Sequence, residues 1–324
     1  MSFTEIASFE VVHGHLSWPW ISFDASGKRF AFAYSTAVIA TRVLDDDGRV
    51  VTQGPSFALP TDLGADVQAF AIGGQGTLLA ATGAGLVVTC DAAGELARAK
   101  VDALAGAGFT ARALAFDRNG TRLWLSAESD KETALLLLDA RSLALLGAAK
   151  SAAFPPPAMH ELMLHPADDA VLLVAACGEE GTFARVAGCA HDVVSAIPTA
   201  LDAGGIPAGF VGFSADGARV HLAEADELRT HAWPGLEELS SVELADDFVS
   251  SFAGAVLDGS IYIDGQDSES NDDQVMKFDR SAIVGSVLSG DVPDGMWAGR
   301  LATNALVTVE SKGEPARGRV IRVT

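Results

Sequence analysis

Basic residues are scarce in this chain. Its 324 residues include 22 lysines and arginines against 43 aspartates and glutamates, a formal net charge of −21. A field of that sign repels phosphate backbones and anionic lipid, so neither nucleic acid nor a membrane surface is an expected partner. Cysteine is nearly absent: Cys90, Cys177 and Cys189 are widely spaced, odd in number and without a CxxC pair. That pattern argues against a disulfide framework or a thiolate zinc site and fits reduced, mostly buried thiols. No apolar run is long, and the strip Ala170–Cys177 falls far short of the roughly 20 residues of a membrane helix. Met1–Val12 shows no basic stretch followed by an apolar one, so a signal peptide is not expected and a cytoplasmic location is. A Gly-x-Ser-x-Gly elbow and a phosphate-cradling Gly-rich loop are both missing. Gly73-Gly74-Gln75-Gly76 lies between two apolar strands rather than before a helix, so no cofactor is expected.

What the chain has is alternation, turns and repetition. The stretch Ala111–Asp139 reads as three strands: Ala111–Phe116, Leu123–Ala127 and the apolar run Leu135–Leu138 ending on Asp139. Asn119-Gly120 and the polar segment Glu128–Glu132 separate them. Asn followed by Gly suits the positive backbone angles of a tight hairpin, so this is an antiparallel meander. The unit recurs seven times, the last copy degenerate, and the anchors Phe23, Phe70, Phe116, Leu164 and Phe213 are 47, 46, 48 and 49 residues apart. Four strands fit each interval, which is one propeller blade. The last unit stops one strand short while Phe3–Val12 is one strand too many. The expected fold is therefore all-β: a seven-bladed β-propeller of four-stranded antiparallel blades whose N-terminal strand closes the last blade. The Pro-rich Ala153–Ala158 falls between the third and fourth units, where a connection is needed anyway, so residues 1–324 are expected to form a single domain.

Third strands often end in an apolar residue and Asp: Leu44-Asp45, Cys90-Asp91, Leu138-Asp139 and Phe278-Asp279. With the turn Phe213-Ser214-Ala215-Asp216-Gly217 and the pair Gly14-His15, the chain resembles the WD40 repeat class of propellers, and more loosely the YVTN-type bacterial propellers. The apolar-Asp pairs sit where that class carries Trp-Asp, and no true Trp-Asp occurs. These motifs imply a fold and leave the activity open.

Candidate function falls on one face. The loops joining second to third strands are acidic: Glu128 and Asp130; Glu179 and Glu180; Glu224 and Asp226; Asp264, Asp267, Asp272 and Asp273. Lys28, Arg29, Arg118, Arg122 and Arg219 fall in the first hairpins, on the opposite face. The expectation is a charge-polarised disc, a non-catalytic scaffold whose acidic channel mouth binds a protein or basic peptide. His160, near the start of an inner strand, and Trp18, beside His13, His15 and Trp20, are candidates for the same mouth. Asp264–Asp273 alternates oxygen ligands but lacks EF-hand spacing, so a solvated loop is expected and no metal. His160 and His165 are an odd number of residues apart, so on a strand they face opposite sides and do not share a metal. The pattern His160, His165-Pro166 and Glu179 loosely resembles an inner-strand pattern of the seven-bladed bacterial lactonases, which implies a small-molecule hydrolase as the alternative. A structural subunit of a larger assembly is a third reading.

Overall fold

The structure, a computed structural model, describes residues 3–11, 21–35, 37–45, 49–63, 67–156, 158–190, 193–199, 208–279, 285–288, 296–301, 304–310 and 316–324. The chain opens with β1 (Phe3–Val11). Blade one follows as β2 (Ile21–Phe23), β3 (Arg29–Ser35), β4 (Val38–Leu44) and β5 (Val51–Ala58). Blade two is β6 (Val67–Gly73), β7 (Leu78–Gly83), β8 (Leu86–Asp91) and β9 (Gly94–Lys100). A short helix absent from the sequence reading, α1 (Val101–Ala105), leads to blade three: β10 (Thr110–Phe116), β11 (Arg122–Glu128), β12 (Glu132–Asp139) and β13 (Leu145–Ala152). Blade four is β14 (Met159–Leu164), β15 (Ala170–Ala176), β16 (Thr182–Ala190) and β17 (Val193–Ile197). Blade five is β18 (Gly209–Phe213), β19 (Arg219–Ala223), β20 (Glu227–Ala232) and β21 (Glu238–Glu243). Blade six is β22 (Phe248–Leu257), β23 (Ser260–Asp267), β24 (Asp273–Phe278) and β25 (Gly285–Val287). Blade seven is β26 (Met296–Leu301), β27 (Ala305–Glu310) and β28 (Ala316–Val323), with β1 paired antiparallel outside β28 from Phe3↔Val323 to Val11↔Ala316. The expected seven-bladed ring and its closure are both present.

The core sits between the blades. Seven apolar clusters form among the described residues, one for each neighbouring pair of blades around the ring. This is why middle strands such as Leu135–Leu138 are apolar on consecutive positions: both faces of a blade meet another blade. Each such leucine contributes about 1.5–3 kcal/mol by leaving water. At the closing joint Phe9 of β1 stacks near Phe30 and Phe32, with ring centroids 5.2 and 4.4 Å away. Among the described residues no helix is long and apolar enough to cross a membrane.

The turns from first to second strands share one chemistry. In blade three the Asp117 carboxylate accepts the N–H groups of Thr121 and Arg122 at 2.8 and 3.0 Å and pairs with the Arg122 side chain at 3.2 Å. Asp24 does the same for Arg29, while Ser214 accepts the Arg219 N–H at 3.0 Å. Gly120 holds the left-handed corner at φ 67°, and a Cβ there would lie 2.1 Å from the Gly74 nitrogen of the preceding blade. In blade four His165 takes the capping place: Nδ1 accepts the N–H of Asp168 and Ala167, and Nε2 donates to the Gly217 carbonyl at 2.9 Å. Its ring stacks on Trp233 at 4.7 Å, so His165 latches blade four to blade five. The aspartates of the apolar-Asp pairs also cap turns: Asp139 accepts the Ser142 N–H, Asp45 the Arg49 N–H and Asp91 the Ala93 N–H.

Candidate functional site

Blade topology sorts the turns onto two faces. Turns joining first to second strands lie on one, here the first-turn face. Turns joining second to third strands, with the links between blades, lie on the other, the second-turn face. The acidic residues named from the sequence sit at or beside second-turn positions. Asp130, Glu179, Glu180, Asp226, Asp272 and Asp273 are exposed there, and Asp267 is half-buried. Trp18, with His13, His15 and Trp20, lies outside the described residues.

Three of the expected docking residues are buried instead. Asp264 belongs to β23, because the ladder to β22 continues as far as Phe248↔Asp267, and its Oδ2 accepts the Ser251 hydroxyl at 2.7 Å. Glu224 turns inward to Arg229, 3.1 Å away. Burial raises its carboxyl above the usual range, and Arg229 opposes that shift. His160 points into the joint between blades three and four, where Nδ1 and the Ser126 hydroxyl share a 2.6 Å hydrogen bond and Nε2 lies 3.6 Å from Glu128. Burial first, and Arg112 second, lower the imidazole to about 4, so it is neutral at physiological pH. Glu128 is nearly buried, its carboxyl raised by desolvation and held by Arg112 at 3.5 Å.

The exposed carboxylates concentrate on blades five and six. Backbone hydrogen bonds lace three loops together there: Leu244 N–H to Asp226 O at 2.7 Å, Ser250 N–H to Ala225 O at 3.0 Å, and Ser268 N–H to Asp247 O at 2.8 Å. Asp226, Asp246, Asp247, Glu269 and Asp272 are exposed on this seam, and residues 224–226, 244–247 and 268–272 include no Lys or Arg. Asp267 is committed to its own turn, accepting the Ser270 and Glu269 N–H groups at 2.7 and 2.9 Å, which lowers its carboxyl below the usual range. The loop thus spends a central carboxylate on capping itself.

On the first-turn face two of the five expected basic residues are held in ion pairs, while Arg118 and Arg219 are exposed. Arg29 is paired with Asp24, and Arg122 with both Asp117 and Asp169.

The central cavity, about 1220 Å³, is lined by the first strands and opens among first-turn residues, including Asp117, Pro166 and Asp216. Of the residues named from the sequence as docking candidates, only His160 among those described lines it. It also holds a residue that sequence reasoning passed over. Glu161, next to His160 on β14, reaches the cavity with no hydrogen bond or ion pair among the described residues. Its side chain is half-buried, and desolvation raises its carboxyl to about 7.

The hydrolase pattern does not assemble. His165 lies in the first turn of blade four and Glu179 in its second turn, at opposite ends of the blade, while His160 faces blade three. Ser126, beside His160, is fully buried and bonded to Nδ1, so no substrate carbonyl can reach it.

Neither a protein-family model nor a curated protein matches the sequence. Solved structures do. The C-terminal WD40 domain of Sif2 is similar over 99% of this chain and 98% of its own, with a TM-score of 0.55 at 11% identity. The WD40 domain of SCAP from fission yeast is similar over 100% and 90%, with a TM-score of 0.59 and 11% identity. This chain has the WD40 propeller fold. Within that WD40 fold its turns are held by Asp and His caps, and its Asp139-type positions serve hairpins in place of a Trp-Asp pair.

Proposed function

We propose that this WD40-fold protein is a non-catalytic interaction scaffold that docks a basic segment of a partner protein on its second-turn face, centred on blades five and six. WD40 propellers typically act as protein-interaction scaffolds. The observation that carries the reading is the laced seam of Asp226, Asp246, Asp247, Glu269 and Asp272, five exposed carboxylates on three loops that contain no basic residue. Charge of one sign concentrated on a rigid surface steers an oppositely charged partner and fixes its register. Val249, 38% exposed on the same edge of blade six, adds apolar area beside the charges.

The test compares affinity capture from the native host by the wild type and by a variant reversing Asp226, Asp246, Asp247 and Asp272 to Lys. Cross-linking then locates the partner's contact segment. A partner held through a Lys- or Arg-rich segment, released by about 0.5 M salt and lost with the variant, is the expected result. A partner retained by the variant, or cross-linked to the first-turn face, overturns the reading.

A further inference from the structure

The central cavity lies apart from the carboxylate seam of blades five and six. Small apolar residues line its first-strand wall, Ala69 and Ala71 from blade two and Ala113 and Ala115 from blade three, while charged first-turn residues such as Asp117, Arg118, Asp216 and Arg219 line its mouth. Among the described first-strand residues that line it, Glu161 is the only carboxylate. Strand alternation fixes where that group points. His160 engages Ser126 of blade three, and Leu162 and Leu164 pack against the cluster between blades three and four. Met163 packs with Phe210 against the cluster between blades four and five. Glu161 therefore projects toward the blade-five side, the side of Phe210.

Phe252 of blade six also lines the cavity and is 37% exposed there. It sits at φ 61° where the β22–β23 ladder breaks between Ser250 and Ala253, a conformation a bulky side chain adopts only when its surroundings enforce it. A carboxylate that no other described protein group meets is open to a cation entering the cavity. Phe210 and Phe252 line the same cavity, and an aromatic face within reach of a bound cation would favour it further. The volume exceeds that of a small-molecule pocket, typically about 300–1,000 Å³. Arg118, Arg122 and Arg219 line the mouth, so the preference for a cation belongs to the first-strand wall beside Glu161.

We propose that the cavity binds an organic cation bearing an apolar body, with Glu161 as the counter-charge and Phe210 and Phe252 as the apolar wall. The ligand enters from the first-turn face, so the site works separately from docking on blades five and six. The burial that raises the Glu161 carboxyl to about 7 agrees with an acid lacking its counter-ion.

The probe is benzyltrimethylammonium, whose charge does not depend on pH, titrated calorimetrically into the full chain. Saturable binding is expected, about tenfold weaker in Glu161→Gln and about threefold weaker in Phe252→Leu, and unchanged in Asp272→Lys. Circular dichroism and melting establish that each variant is folded. The neutral isostere neopentylbenzene, used with the wild type alone, should fail to displace the probe, which keeps the test decisive even if a variant does not fold. No saturation, equal affinity in Glu161→Gln, or displacement by the neutral isostere overturns the proposal.

Discussion

The two faces of the disc use aspartate in opposite ways. On the first-turn face Asp24 and Asp117 are buried, each capping backbone N–H groups and gripping an arginine five residues on. On the second-turn face Asp226, Asp246, Asp247 and Asp272 are exposed and have no ion pair among the described residues. The same side chain is a structural part where its oxygens meet amides and a surface charge where they meet water. The difference follows from turn length and shape. These two turns, Asp24–Arg29 and Asp117–Arg122, each fold back over six residues with a glycine corner, so a carboxylate at their start reaches the following N–H groups. The seam loops give their backbone groups to one another and leave these side chains outward.

The sharpest way to break this comparison is a matched pair of substitutions. Asp117→Ala should cost about 2–3 kcal/mol in urea denaturation, because it removes two amide caps and leaves Arg122 with Asp169 alone. Asp272→Ala should stay within about 0.5 kcal/mol. Equal losses would erase the distinction between the faces.

A second test uses pH. His160 and His221 both lie near pKa 4 through burial, against an ordinary value of 6.5. The unfolded chain takes up those protons first, so the stability they contribute is complete above pH 6.5 and is lost as pH falls from 6.5 toward 4. The expected loss is on the order of 1–2 kcal/mol per histidine. Glu161, raised to about 7, has the opposite sign. The folded state holds its proton longer, so its contribution is complete below pH 4.5 and fades as pH rises through 7. Glu161→Gln should therefore melt higher than wild type at pH 8 and near wild type at pH 4. In Glu161→Gln, which lacks that opposing contribution, a melting temperature that stays flat from pH 6.5 to 4 would contradict the buried-histidine geometry.

The smallest effect belongs to the seam. Reversing Asp226 and Asp246 to Lys should raise stability by about 0.5 kcal/mol at low ionic strength, with the gain fading by about 0.5 M salt. A loss of stability would mean that these carboxylates hold the loops.

Blade number and ring closure were legible in the sequence because they rest on spacing and strand count. Spacing of 46–49 residues between anchors, Gly at the corners and apolar middle strands each leave a direct trace. Burial at strand ends was not legible. Asp264 reads as part of a polar loop, yet the ladder runs three residues past it. Glu224 ends a strand beside Arg229, and only the folded hairpin brings the two within reach. Glu161 had a signal that went unused. The cavity-lining first-strand positions in blades two and three carry Ala, Phe and Leu, so one carboxylate in Met159–Leu164 departs from the pattern. The expected basic face is weakened for a physical reason: a charge count by loop ignores that Arg29 and Arg122 each have an aspartate already in hand.

The joint between β1 and β28 has a consequence for how the molecule comes into being. Phe3 pairs with Val323, so about 320 residues must leave the ribosome before this ladder can form. At typical synthesis rates that is roughly 15–65 s, during which the first strand made has no partner for its edge. Phe9 meanwhile waits without the strand that holds it against Phe30 and Phe32. The glutamate and arginine that meet across the finished joint, Glu5 and Arg317 at 2.9 Å, belong to its first and last strands. Nascent chains halted before residue 316 should consequently bind chaperones or aggregate, whereas a circular permutant opened at the exposed turn of blade six would make β28 and β1 in succession and shorten that vulnerable interval.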